Sequence, residues 1–281
     1  MSFRRLKISV VTPTFNQAPF IAQTLQSVLD QKLGPRLQYI IQDACSTDGT
    51  ETIVRSFEDS FRQQGVDWRY VREKDAGQAD AINRGWRVAN GDVLGFLNSD
   101  DLFRPGALHA VLDYFEGNPC VKWAYGGWRL ISAAGALYKS VCPTTYSRSA
   151  LLNFCNIGQP SCFFRRELLS EVGSLDMDLH LAMDYDLWLR MAARYPAGII
   201  PFELAEMRYY AAAKSAASAR QQLREVLSLG TKYSRPLGWR RCCQYFYYMR
   251  GLAVVSMGFD LARRIERMET AEVYGSRSAK I

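Results

Sequence analysis

Apolar and polar positions along this chain switch period repeatedly. Ile8 to Val11 is a β-branched run closed by Thr12-Pro13-Thr14, and Phe20, Ile21, Leu25, Val28 and Leu29 then recur at helical spacing. The same strand-then-helix alternation is expected three more times. Leu37 to Ile41 reads as a strand closing on Asp43 and the turn Ser46-Thr47-Asp48-Gly49. Asp48 with Glu51 reads as a capping box, predicting one helix from about Gly49 to Gln64. Trp68 to Val71 is a third strand, followed by Glu73-Lys74-Asp75-Ala76-Gly77 and a helix through Ala81, Ile82, Trp86 and Val88. Val93, Leu94, Phe96 and Leu97 form a nearly continuous apolar run, the mark of a strand buried on both faces. It ends at Asp100-Asp101, and Pro105 stands at a plausible first helical position, so the acids fall on a strand-to-helix loop. Four such units with short connections predict an α/β fold with a parallel, doubly wound sheet.

Beyond Val121 the pattern becomes shorter and more aromatic. Trp123 to Tyr125, Trp128 to Ile131 and Tyr138 to Val141 read as strands of a mixed sheet that completes the domain. Gln159 to Arg166 reads as a strand entering a helix that Gly173 ends. Asp184 opens a further helix, with positions 187, 188 and 191 facing the core and Asp186 spaced for an i,i+4 pair with Arg190. In a first helical turn the free N–H groups and the helix dipole favour the ionised carboxylate, which suits Asp184 to accept a proton. After Arg208 the composition shifts to Ala, Ser, Arg and Gln, with a helix expected from about Ser218 to Leu229, a long amphipathic, arginine-rich helix over 238–268, and a disordered last ten residues.

Charge divides the chain at the same place. Lys and Arg stand 22 against 23 Asp and Glu in residues 1–213, a balance of −1, and 13 against 5 in residues 214–281, a balance of +8. The expected organisation is therefore a domain over 1–213 and a basic helical extension over 214–281, packed back on the domain or attached at an anionic membrane surface. Seven cysteines without a CxxC pair or ligand spacing suit free thiols in a reducing compartment. No signal-peptide apolar region precedes the first strand and no uncharged segment reaches spanning length. A cytoplasmic protein, peripheral on the inner face of a membrane, is the expectation.

Candidate chemistry comes from the strand ends. Asp43, Asp75 and Asp100-Asp101 follow strands two, three and four, and parallel strands put those ends on one edge of the sheet. Ligands of open α/β sheets bind in the crevice beyond that edge, where adjacent oxygen donors can hold a divalent cation. The two histidines, His109 and His180, have no ligand spacing and are assigned no catalytic work.

The segments VVTPTFNQAPFIAQTLQSV, IIQDACSTDGT, EKDAGQADAINRG, GDVLGFLNSDD, IGQPSCFFRRELL and AMDYDLWLRMA, in that order, resemble family 2 glycosyltransferases with a GT-A fold, over about residues 6–210. The resemblance implies a predominantly parallel, Rossmann-like sheet flanked by helices. It implies inverting transfer of a sugar, hexosyl or N-acetylhexosaminyl, from a nucleotide diphosphate-sugar, commonly a UDP-sugar, to an acceptor hydroxyl in cell-surface polysaccharide or glycolipid synthesis. By the same resemblance Thr12, Phe15, Asn16, Asp43, Asp75, Asn98 and Asp100 would serve the nucleotide. Asp101 with Asp100 would hold Mg²⁺ or Mn²⁺, and Asp184 would be the base. Asp80, Asn83, Arg84 and Arg208 would approach the donor sugar or diphosphate, and Gln159 and Trp188 would lie on the acceptor side, facing a saccharide or lipid-linked saccharide. One departure stands out: where the family often has Arg-x-His, this chain has Arg208-Tyr209-Tyr210, so Lys214 could supply the positive charge instead. Two alternatives remain at this stage, a non-catalytic nucleotide-binding scaffold and a nucleotidyltransferase. The second would want a Gly-rich basic loop after the first strand, which is absent. No nucleic-acid partner is expected.

Overall fold

A computed structural model describes residues 5–153, 155–210, 213–214 and 218–233. The 238–268 helix, the terminal ten residues and any membrane contact they make lie outside the described residues. Strands β1 (Ile8–Thr14), β2 (Leu37–Asp43), β3 (Asp67–Arg72) and β4 (Val93–Phe96) pair in the order β3-β2-β1-β4, all parallel. Between them run α1 (Ile21–Leu29), α2 (Thr50–Ser56), α3 (Glu58–Gln63) and α4 (Gln78–Arg87). Every residue of β1, β2 and β4 is buried, as strands covered on both faces require. Alternate residues feed two cores. Val10 packs with Leu25, Tyr39 and Phe61 on one side, and Val11 with Ile82, Trp86 and Phe96 on the other.

The second half is mixed. Beyond β4 come β8 (Cys162–Arg165), β6 (Trp123–Ile131), β9 (Gly198–Arg208) and the two-residue β5 (Leu102–Phe103), while β7 (Leu137–Val141) pairs with β6. The β4-β8 and β8-β6 pairings are antiparallel, β6-β9 is parallel and β9-β5 antiparallel. The remaining described α-helices are α5 (Ala107–Gly117), α6 (Arg148–Asn153), α7 (Leu168–Val172), α8 (Met183–Arg194) and, after β9, α9 (Ala219–Tyr233). The sheet curls, so that the end of β9 meets the loop after β4.

Four details differ from the pattern reading. The helix expected over 49–64 is broken at Phe57, whose N–H turns to Val54 O at 3.2 Å. The cap position is Gly49 and not Asp48, which accepts Thr50 N–H at 3.1 Å from one residue earlier, and Glu51 pairs outward with Arg55 and Arg72 and closes no box. The runs 123–125 and 128–131 are one strand, β6, because Gly126 and Gly127 stay extended and lie against β9. Strand β5 intervenes after the acids, and α5 begins at Ala107 behind Gly106, in the left-handed region at φ 77°, rather than at Pro105.

Candidate functional site

The turn after β4 is held by three other elements. Asp101 N–H closes on Asn98 O at 3.1 Å, and the Thr24 hydroxyl of α1 lies 2.9 Å from the carbonyls of both Ser99 and Asp101. From the end of β9, Arg208 N–H donates to Asp101 Oδ1 at 2.8 Å, and Asn98 Nδ2 donates to Oδ2 at 3.2 Å. The Arg208 guanidinium is buried over the Phe20 ring and donates to Asp100 O, Ala133 O and Gln23 Oε1. It therefore fixes the turn, with its donors taken up by protein acceptors. Tyr210 donates its hydroxyl to Asp100 Oδ2 at 3.0 Å.

These groups face a cleft of about 1150 Å³. Of the residues singled out in the sequence, Phe15, Asp75, Asn98, Asp100, Asp101, Gln159, Asp184, Arg208 and Lys214 line it. The remainder border it or lie elsewhere. Asp43 sits at its edge, below Ala44 and Cys45, accepting Ser46 N–H at 2.8 Å and the Tyr70 hydroxyl at 2.7 Å. Asn16, in the left-handed region at φ 52°, ties two loops together by accepting Thr47 N–H.

Five expectations need correcting. Thr12 is sealed inside the sheet with its hydroxyl 2.9 Å from that of Tyr39, so it lines no nucleotide pocket. Asn83 is buried where it clamps both the N–H and the carbonyl of Leu175, and it does not line the cleft. Asp80 is buried, accepts Ala76 N–H and pairs with Arg84 at 2.7 Å, and Arg84 is further engaged by Glu73 and Lys74 O, so both are spent on protein partners and neither lines the cleft. Trp188 is wholly buried in the core beneath α8, consistent with its apolar register and not with an acceptor-side place.

Electrostatics separate the acids. Burial raises the Asp75 and Asp100 carboxyls above the usual range. Asp101 is pushed up further, by burial first and then by its neighbour Asp100. At the start of α8, also on the cleft lining, Asp184 is raised to about 6 by burial, against a hydrogen bond from Tyr185 N–H at 2.8 Å. Lys214 donates to Gln78 Oε1 at 2.9 Å, and Gln78 Nε2 donates to Asn98 Oδ1 at 2.7 Å, so a chain of contacts runs from this cation to Asp101. Burial lowers the Lys214 pKa.

Several lining residues escaped the sequence reading. Gln78 lies in a segment quoted for the resemblance but carries no expected role there; Trp128, Lys139 and Gln222 also face the cleft, as does His180, which its lack of ligand spacing had set aside. Only two carboxylates meet at the turn after β4, and no group of three or more His, Cys, Asp or Glu able to hold a metal occurs among the described residues. The five described cysteines are free thiols, and none of the described helices is long and apolar enough to cross a membrane. An adjacent pair of hard oxygen donors still suits Mg²⁺ or Mn²⁺, which complete their shells with water and substrate phosphate.

Comparison with known proteins gives the same direction. A family model described as glycosyl transferase family 2 matches residues 9–173. The chain is 30% identical over 187 residues to a Bacillus subtilis protein described as putative teichuronic acid biosynthesis glycosyltransferase TuaG, covering 66% of this chain and 71% of that one. Among solved structures it is similar to the Pyrobaculum calidifontis mannosyltransferase PcManGT in complex with GDP-Man and Mn²⁺, at TM-score 0.63 and 17% identity over 96% of this chain and 81% of that one. It is also similar to S. aureus TarS 1-349 in complex with UDP-GlcNAc, at TM-score 0.61 and 15% identity over 84% and 69%. Against a longer TarS structure it covers 39% of that chain. At these identities the structural likeness is one of fold, the GT-A type.

Proposed function

Since this chain belongs to glycosyl transferase family 2, we propose that it performs an inverting transfer of a sugar from a nucleotide diphosphate-sugar, a UDP-sugar by preference, to an acceptor hydroxyl. One observation carries the reading: Asp184, with its carboxyl raised to about 6, shares a single cleft with the Asp100-Asp101 turn. Phe15, Asp43, Asp75 and Asn98 serve the nucleotide end. Asp101, with Asp100 beside it, would hold Mg²⁺ or Mn²⁺ on the diphosphate; when bound, such an ion stabilises the charge of the departing phosphate as a Lewis acid. Arg208 and Tyr210 orient those two carboxylates, and Lys214, through Gln78, stands where it can meet the diphosphate.

The chemical step needs one carboxylate as base. The anomeric C–O bond to the diphosphate breaks as the acceptor oxygen bonds to the same carbon from the opposite face, and the acceptor proton passes to Asp184. No covalent enzyme intermediate is formed, so configuration inverts. Gln159 borders the acceptor side, its amide fixed by donation to Phe96 O at 2.7 Å. The acceptor is a saccharide or lipid-linked saccharide, as similarity to the TuaG protein supports, and the product a cell-surface polysaccharide or glycolipid. Gln222 and Val226 in the cleft and Leu229 in the core support a transferase domain that runs past the expected 1–213 to take in α9, while the basic charge of the 214–281 extension brings it to the inner membrane surface.

Screening UDP- and GDP-sugars by thermal shift with and without Mn²⁺ tests this directly. A donor that raises the melting temperature of the wild type, and not of Asp101→Ala, is the expected result. No shift with any nucleotide-sugar would contradict the proposal.

A further inference from the structure

Helix α9 meets the start of α8, the helix that carries Asp184. Glu225 Oε2 accepts the N–H groups of Leu181 at 2.8 Å and Ala182 at 3.0 Å, and its Oε1 accepts that of His180 at 3.3 Å. Gln221, one turn back on α9, donates to the same Oε1 at 3.0 Å. Three consecutive N–H groups aimed at one carboxylate make a nest for an anion. Burial opposes the charge there, and the donors from Leu181, Gln221, His180 and Ala182 outweigh it, holding the Glu225 carboxyl below its usual range.

The position of this contact gives it meaning. Helix α8 has no side-chain cap of its own at Ala182, and the residues before it are irregular. The group that fixes them comes instead from a helix 43 residues further along the chain. Asp184 lies two residues past the clamp, with its own Oδ1 engaged by Tyr185 N–H. A second anchor lies deeper, where Tyr233 donates its hydroxyl to Asp186 Oδ1 at 2.8 Å and Asp186 Oδ2 takes Arg190. Leu229 is buried in the core shared with Trp188, and Gln222 and Val226 of α9 line the cleft itself.

We propose that Glu225 is a positioning residue for Asp184: by holding the backbone of His180, Leu181 and Ala182 it sets how the Asp184 carboxylate enters the cleft. A helix beyond the family-matched residues 9–173 thereby completes the active centre. The inference rests on the proposed role of Asp184 as base.

The test uses the full chain, release of nucleoside diphosphate from UDP-N-acetylglucosamine and GDP-mannose with water as acceptor, and amide hydrogen exchange. A misplaced catalytic group can cost on the order of 100-fold, so Glu225→Ala should lower kcat about 10- to 100-fold while the donor KM stays within about twofold. Glu225→Gln, whose amide oxygen still accepts from Leu181 and Ala182, should recover most of that loss. In an Asp184→Asn background Glu225→Ala should add nothing, and in the otherwise native chain it should speed exchange at amides 180–182, a readout that needs no turnover. Unchanged exchange at those amides overturns the proposal. So does a double variant whose loss is the product of the two single losses, or a matched loss in Glu225→Ala and Glu225→Gln with a rising donor KM. If Asp184→Asn is inactive and Glu225→Ala is as active as wild type, only the positioning role falls; if Asp184→Asn retains full turnover, the base falls first.

Discussion

Asp184 illustrates how burial sets both activity and stability at one side chain. A base must be ionised, so with a carboxyl at about 6, kcat/KM should fall about tenfold per pH unit below that value, read as nucleoside diphosphate release between pH 5 and 8. Asp184→Asn should lower turnover by about 10²- to 10⁴-fold. The stability consequence has the opposite sign. A carboxyl raised from 3.8 to about 6 binds its proton more tightly in the folded state, so its contribution is favourable below pH 3.8 and is lost as pH rises through 6. At pH 8 the ionised form is a liability of about 1–3 kcal/mol, and Asp184→Asn should unfold at higher urea than wild type there but not at pH 4. Arg208 is the other residue with a definite sign. Its planar fork serves several acceptors at once, and a lysine cannot span them, so Arg208→Lys should destabilise by about 2 kcal/mol in urea and weaken donor binding through the loosened Asp100-Asp101 turn. At this scale Asp75 and Asp100-Asp101 were legible because acids at parallel strand ends must share an edge. Thr12, Asn83 and Trp188 were not, since whether a side chain near a strand end turns to the cleft or to the core is decided by neighbours such as Tyr39 and Leu175 from distant segments.

Elements were readable where the period was strong and local. The β-α units through β4 follow from continuous apolar runs and helical spacing, and the structure extends β1 and β2 by two or three residues because Pro13 and Asp43 still pair across the sheet. Strand β9 was visible only as the place of the Arg208-Tyr209-Tyr210 departure. Its run of Pro201, Glu203 and Glu206 lacks an apolar period, and pairing with β6 and β5 decides it. The join of β6 to the cleft wall depends on close backbone approach. A Cβ on Gly158 would stand 2.4 Å from Trp128 Cγ, a rigid ring that lines the cleft. Gly158→Ala should therefore cost about 1–3 kcal/mol in urea unfolding and, by displacing the Trp128 ring in the cleft, raise the donor or acceptor KM.

At the scale of the whole molecule the curled sheet brings together groups that the sequence spreads from Phe15 to Lys214. That convergence, with the Asp100-Asp101 turn and Asp184 lining one cleft, implies a division of labour that binding can resolve. Helix α9 adds Gln222 and Val226 to the cleft lining, so the C-terminal segment contributes to the site as well as charge. Calorimetric titration of UDP-N-acetylglucosamine and GDP-mannose, with Mn²⁺ present, into wild type, Asp101→Ala and Asp184→Asn separates the roles. Asp184→Asn should bind the donor as tightly as wild type, while Asp101→Ala loses at least about tenfold in affinity, or 1.4 kcal/mol. Equal affinity in all three proteins, or a loss confined to Asp184→Asn, would contradict the assignment of donor binding and proton removal to separate groups of one cleft.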